Sequence, residues 1–355
     1  MKKILLFILV LGLCVAPCFG AWEDDISGLD ELWEQSRAYG VTPEQGLDEG
    51  MGNLFSSTLA RVGGQLRSSA VTGLKLLAVV LLCALAEGAS LNERRDSLRA
   101  VELTGTLAIT ALTMTDMATM IGLGRDTIGR MDSFSQLLLP VVALLTAATG
   151  GVSGAAVRQG STMLFSQLLI GAMDRLLIPM VYSYVALSCA HAAVGNPGLK
   201  KLADLIKSGA TALLTAILLA FVAYLTASGA VAGTVDAAAV KAAKLAIGRA
   251  IPVVGGILAD ASETVLAGAG ILKGTVGVAG MLVVLAICLG PFFQLAFQNV
   301  VYKETAALCA TVAQPRLGQL IESIGAAFGL VLGMTGAGAL VLLVSLVSAL
   351  SAVVT

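Results

Sequence analysis

Histidine is almost missing from this chain of 355 residues, with His191 the single example. A transition-metal centre needs several imidazole or thiolate ligands held together, so none is expected. Cysteine is scarce as well, and none of the six falls in CxxC spacing. Cys83, Cys189, Cys288 and Cys309 lie in or beside apolar segments and read as small buried hydrophobes. Residues 21–69 hold no cysteine, so no disulfide framework supports them. Charged residues make up only 13% of the chain and the net charge is −1. That balance implies neither nucleic acid nor another polyanion as a partner. No phosphate-binding glycine loop or haem motif occurs, and no cofactor is expected. Any energy source must come from a partner or an ion gradient.

What the chain does have is apolar length. Hydrophobic residues reach 57%, with 40 glycines, and the mean hydropathy is +0.90. This is the composition of an all-α polytopic membrane protein, and the uncharged runs predict about seven to eight crossings. The abundant small residues suit closely packed membrane helices.

The N-terminus reads as a secretory signal over 1–20, with Lys2 and Lys3, an apolar core from Ile4 to Val15, and Pro17 before Gly20. Cleavage after Gly20 or retention as a first helix are both consistent with it. Residues 21–69 form an extracytoplasmic segment with two apolar series at helical spacing. Ile26, Leu29, Leu32 and Trp33 make the first; Leu47, Met51, Leu54, Phe55, Leu59 and Val62 make the second. Helices this short cannot form a core of their own. They lie on the membrane, on a partner, or on this chain's own helices.

The polytopic domain covers 70–355. Its expected spans are 70–90, 101–123, 134–157, a hairpin of 159–173 and 176–194 turning at Asp174-Arg175, then 208–233, 275–302 and 324–353. With an exported N-terminus, this arrangement keeps Arg94, Arg95, Arg99, Lys200, Lys201, Lys207, Lys303 and Arg316 cytoplasmic, as the positive-inside rule requires. The stretch 241–274 is the exception. It carries Lys241, Lys244 and Arg249 on the outer side. Its apolar blocks, 250–259 and 264–272, are each about half the ~20 residues needed to span a bilayer. Pro252 and the pair Gly255-Gly256 break the first block. Such a segment is re-entrant or interfacial, because unsatisfied backbone exposed to lipid is too costly.

Ionisable groups inside apolar segments mark pathways or protein-facing surfaces. Asp116, amid Thr113, Thr115 and Thr119, is the most deeply placed; Asp260 and Glu263 sit at the turn of the broken segment. Glu87 and the pair Asp174-Arg175 complete the set. The candidate pore or interface residues are therefore Asp116, Pro252, Gly255, Gly256, Asp260 and Glu263. Gly151-Val152-Ser153-Gly154 matches the GxSG pattern of intramembrane serine proteases, and His191 could serve as a base. Four residues in a chain with 40 glycines carry little weight. No catalytic residues are assigned.

The order of segments resembles a known family. A signal is followed by the acidic stretch Gly28-Leu29-Asp30-Glu31-Leu32-Trp33 and then by a membrane domain. That domain contains SFSQLLLPVVALLTAATGGVSGAAV (133–157) and LAIGRAIPVVGGILADASETVLAGAGILKGTVGVAG (245–280). Over roughly 26–350 the chain is similar to the stage III sporulation protein AE family of endospore-forming bacteria. The resemblance implies a non-enzymatic component of a multiprotein channel, or feeding tube, between mother cell and forespore. It implies a multi-pass protein in the mother-cell membrane surrounding the forespore. The implied partners are sister proteins of the stage III sporulation A operon, including a secretion-type ATPase. Stage II sporulation protein Q of the forespore would be met indirectly, and the chain could form a homo-oligomer in the bilayer. The alternative from the residues alone is a self-sufficient transporter or channel using Asp116 and 241–274.

Overall fold

The computed structural model describes residues 29–42, 46–89, 95–148, 165–227, 275–311 and 315–351. Every regular element among them is helical. Helix α1 is Leu29–Ala38, α2 is Leu47–Ala89 and α3 is Arg95–Ala148. Helix α4 is Phe165–Val194, α5 is Pro197–Ala227, α6 is Thr275–Ala310 and α7 is Pro315–Ser351. Six of these, α2 to α7, are long and apolar enough to cross a membrane. The chain is an all-α polytopic membrane protein.

Two of the expected divisions between spans do not occur. Residues 101–123 and the start of 134–157 belong to one helix, α3, of 54 residues. The charges between them, Arg125, Asp126, Arg130 and Asp132, lie on exposed or half-buried positions of an unbroken helix. Asp174-Arg175 is not a hairpin turn either. It sits in a π-helical turn, Met173–Leu177, inside the continuous helix α4. Pro179 follows after Ile178, lacking an N–H and crowding the carbonyl one turn back, and the wider turn accommodates it without ending the helix. Helix α2 runs unbroken through 69–70, so the expected boundary between the extracytoplasmic segment and the membrane domain falls within a continuous helix, which is compatible with that boundary.

Helix α7 is the centre of the bundle. Its most apolar window is 94% buried, against 22% for the windows of α2 and α5, which lie at the periphery. Helix α3 runs parallel to α7, bringing Gly105 beside Leu317 and Gly124 beside Val331. Helix α6 returns antiparallel to α7, with Tyr302 against Gly325 and Gly280 against Leu346. Small residues make these approaches close, since helices in lipid are held by packing and not by a hydrophobic drive between them. A Cβ on Gly124 would overlap the Val331 side chain, and one on Gly73 would come within 2.9 Å of Val301 and Thr305.

The buried side chains form two clusters along the bundle. One joins α2 to α7 and includes Leu76, Ile109, Ile121, Val181, Leu214 and Phe328. The other joins Leu32 of α1 and Val41 to Phe134 and Leu138 of α3, to 279–288 of α6 and to 339–347 of α7. The amphipathic helix α1 therefore docks on this chain's own helices, through the fully buried Leu32 and the half-buried Trp33. Its Ser36 hydroxyl returns to the Leu32 carbonyl at 2.8 Å, and Gly40 turns the chain at a φ of 76°.

Tight helix contact predicts the first test. Gly124→Val should force α3 from α7 and destabilise the protein by about 1–3 kcal/mol. Gly129→Ala, where nothing lies within 4 Å of the new Cβ, should leave the thermal midpoint in detergent unchanged or slightly raised. Equal midpoints for the two variants would contradict the packing described.

Candidate functional site

Of the sequence-selected site residues, Asp116 is the one whose placement the structure describes. Pro252, Gly255, Gly256, Asp260 and Glu263 lie outside the described residues, as does the Gly151–Gly154 motif. Asp116 sits midway along α3 and is half-buried, with the fully buried Thr113 one turn before it. Its Oδ2 accepts two hydrogen bonds from α6: one from the Gln298 amide at 2.9 Å, the other from the Tyr302 hydroxyl at 2.9 Å. Gln298 then accepts from the Ser69 hydroxyl of α2 through its Oε1. Because a carboxylate accepts, the amide must turn its NH2 toward Asp116 and its oxygen toward Ser69.

The arrangement spans four helices. Ser69 stands on α2, Asp116 on α3, and Gln298 and Tyr302 on α6, one turn apart on a single face. The Tyr302 ring meets Phe328 of α7 edge-on, with centroids 5.1 Å apart at 88°. Gln298 and Ser69 are 2% exposed and Tyr302 is fully buried, so these bonds have little competition from solvent. The chemistry this supports is positional. Donor and acceptor capacity is spent on joining helices, and each bond in such a setting contributes about 0.6–2 kcal/mol.

Gln298 and Tyr302 escaped the sequence reading because a search for charges passes over neutral polar groups. Their signal was present: a glutamine and a tyrosine four residues apart in a run that is otherwise almost wholly apolar. The other ionisable candidates separate from this knot. Asp174 pairs with Arg125 at 2.8 Å, tying α4 to α3. Their side chains are 43% and 61% exposed, so in contact with water the pair adds little stability. It borders an open cavity of about 740 Å³ among α1, α3 and α4, lined also by Gln35, Asp126 and Arg130. Glu87 lies on the last turns of α2. His191 uses Nδ1 to contact the Asn196 carbonyl at 2.8 Å, within the turn from α4 to α5. That turn is closed by Gly195, whose φ of 74° suits glycine and whose N–H returns to the His191 carbonyl at 2.7 Å. Asn196 then caps α5 by accepting from the Gly198 N–H at 2.8 Å.

Comparison with known proteins places this architecture. The family model described as stage III sporulation protein AE matches residues 43–352. The chain belongs to the stage III sporulation protein AE family. A curated relative, stage III sporulation protein AE of Bacillus subtilis (strain 168), is 27% identical over 203 residues. That match covers 57% of this chain and 51% of the relative, so it spans about half of the relative's length. No solved structure matches the chain. The family match includes all four helices of the Asp116 knot and the stretch holding Pro252, Gly255, Gly256, Asp260 and Glu263.

The knot predicts energetic coupling across α3 and α6. Asp116→Ala and Tyr302→Phe should each lower thermal stability in detergent. Their double-mutant cycle should return a coupling of about 0.6–2 kcal/mol. Strict additivity would show that the contact does not hold the helices together.

Proposed function

We propose that this chain is a non-enzymatic integral-membrane component of the multiprotein channel complex linking mother cell and forespore during endospore formation. Its place is the mother-cell membrane surrounding the forespore, with the N-terminal segment extracytoplasmic. Its partners are the sister proteins of the stage III sporulation A operon, including the secretion-type ATPase, with stage II sporulation protein Q reached indirectly.

The observation that carries this reading is helix length. Helix α3 has 54 residues and α2 has 43, or about 80 and 65 Å at 1.5 Å per residue. The hydrocarbon core is about 30 Å thick, and even a tilt of about 40° takes up only about 40 Å of helix. A substantial part of the bundle therefore stands outside the hydrocarbon. The end bearing α1 has its own buried cluster, with Leu32, Phe134, Leu282 and Leu343 at its centre. Helices that reach beyond the bilayer suit a platform on which other subunits assemble. The Asp116 knot, with its bonding capacity directed to neighbouring helices, fits a rigid frame better than a substrate pathway.

The tagged chain, isolated from sporulating cells, should co-purify with its sister proteins. A clean deletion should arrest sporulation after engulfment, and normal spores from that strain would sink the proposal. Purified protein in liposomes should show no robust ion or metabolite flux without partners. Flux that disappears on Asp116→Asn would instead favour a self-sufficient transporter.

A further inference from the structure

Helix α1 lies against α3 and α6 with little to hold it there. Its Leu32 is fully buried, and the half-buried Trp33 and Tyr39 pack on the same apolar cluster. Among the described residues, no side chain of α1 forms a hydrogen bond or ion pair with another helix. The buried Ser36 hydroxyl is spent on the helix's own Leu32 carbonyl. One flank is not packed at all. Gln35, Ala38 and Tyr39 border the open cavity of about 740 Å³, and its other walls carry Asp126 and Arg130. Among the described residues, neither of those two charged side chains has a partner.

A helix of ten residues is shorter than the ~12–15 at which isolated helices become even marginally stable. The order of α1 therefore depends on its groove, and the contact is apolar burial without direction. Such an element opens locally far more readily than the enclosed α7. Its departure bares Phe134 and Leu138 of α3 and Leu282 of α6, all fully covered in the docked state. That surface accepts an amphipathic helix, since it already holds one. The unfilled cavity shows that α1 is not the best-fitting occupant. A helix with a longer polar side chain in place of Ala38 would fill the space and reach the charges that α1 leaves unused.

We propose that the groove between α3 and α6 is a docking site for an amphipathic helix of a partner protein, and that α1 occupies it in cis until that helix displaces it. The incoming helix presents a large apolar pair in place of Leu32-Trp33 and a small residue one turn on in place of Ser36. Toward the cavity it carries a longer polar side chain. Helix α1 is then a built-in competitor, because a partner binds only the fraction of chains whose groove is open. This inference does not rest on the channel role.

The test uses the full chain in detergent micelles and, as probe, a fluorescent peptide of residues 29–42 added in trans. Leu32→Asp in the chain should release α1 and raise the peptide's affinity about tenfold over the unaltered chain. The same substitution in the peptide should abolish binding, and Ala38→Gln in the peptide should tighten it. Glu34→Gln in the chain, on the exposed side of α1, should change nothing. Hydrogen exchange on the unaltered chain needs no variant: amides of α1 should exchange about a hundredfold faster than those of 334–346 in α7. Equal exchange of the two segments would overturn the release of α1, whether or not the variants fold. Equal affinity of the Leu32→Asp and unaltered chains would overturn the competition. Peptide uptake no greater than that of empty micelles would mark a lipid-surface helix and overturn the protein groove. No gain from Ala38→Gln would overturn the assignment of the cavity to the partner.

Discussion

The close approach of α3 and α6 to α7 is the contact on which the rest of the bundle depends. In lipid, helices gain nothing from hiding apolar surface from one another, because acyl chains are equally apolar. Dispersion at short range must do the work, and it falls off steeply with any gap. Gly124 against Val331, Gly280 against Leu346 and Gly325 against Tyr302 provide that proximity. With α7 enclosed in this way, α2 and α5 can remain peripheral and keep much of their surface for lipid or for other chains.

The Asp116 knot acts on the same packing in a different manner. Small residues allow helices to slide, since one close contact resembles the next. Hydrogen bonds from Ser69 to Gln298 and from Gln298 and Tyr302 to Asp116 fix one register among α2, α3 and α6. The edge-on contact of Tyr302 with Phe328 extends it to α7. A buried polar group in a membrane costs energy unless paired, so this register is favoured over any that would leave Asp116 alone.

The two ends of the bundle differ in character. At one, α1 and the far halves of α3, α6 and α7 form an apolar cluster with a docked amphipathic helix. At the other, Arg316 joins Glu102, Lys200 meets Gln319, and charges of both signs face one cavity. Such asymmetry suits a protein whose two sides meet different surroundings. It comes from separate parts of the chain brought to one level by the alternating direction of the helices.

The membrane class, the helical architecture and the family were legible in the sequence, because all three follow from composition, local apolar length and recognisable segments. The singling out of Asp116 was legible too, since a carboxylate amid apolar residues is a local cost visible without coordinates. The division into helices was less so. Charges at 125–132 and at Asp174-Arg175 resemble breaks when read along the chain, yet helix α3 continues through the first and α4 through the second. A charged side chain does not interrupt a helix whose backbone bonds are made and whose charges reach water or a partner. Partners are what a one-dimensional reading cannot supply. Arg125 finds Asp174 at a separation of 49 residues, and Asp116 finds Gln298 and Tyr302 at 182 and 186. Ser69 reaches Gln298 across 229 residues. Local energetics fixed which residues needed an answer, and only the tertiary packing, by setting which helix faces met, decided what that answer was.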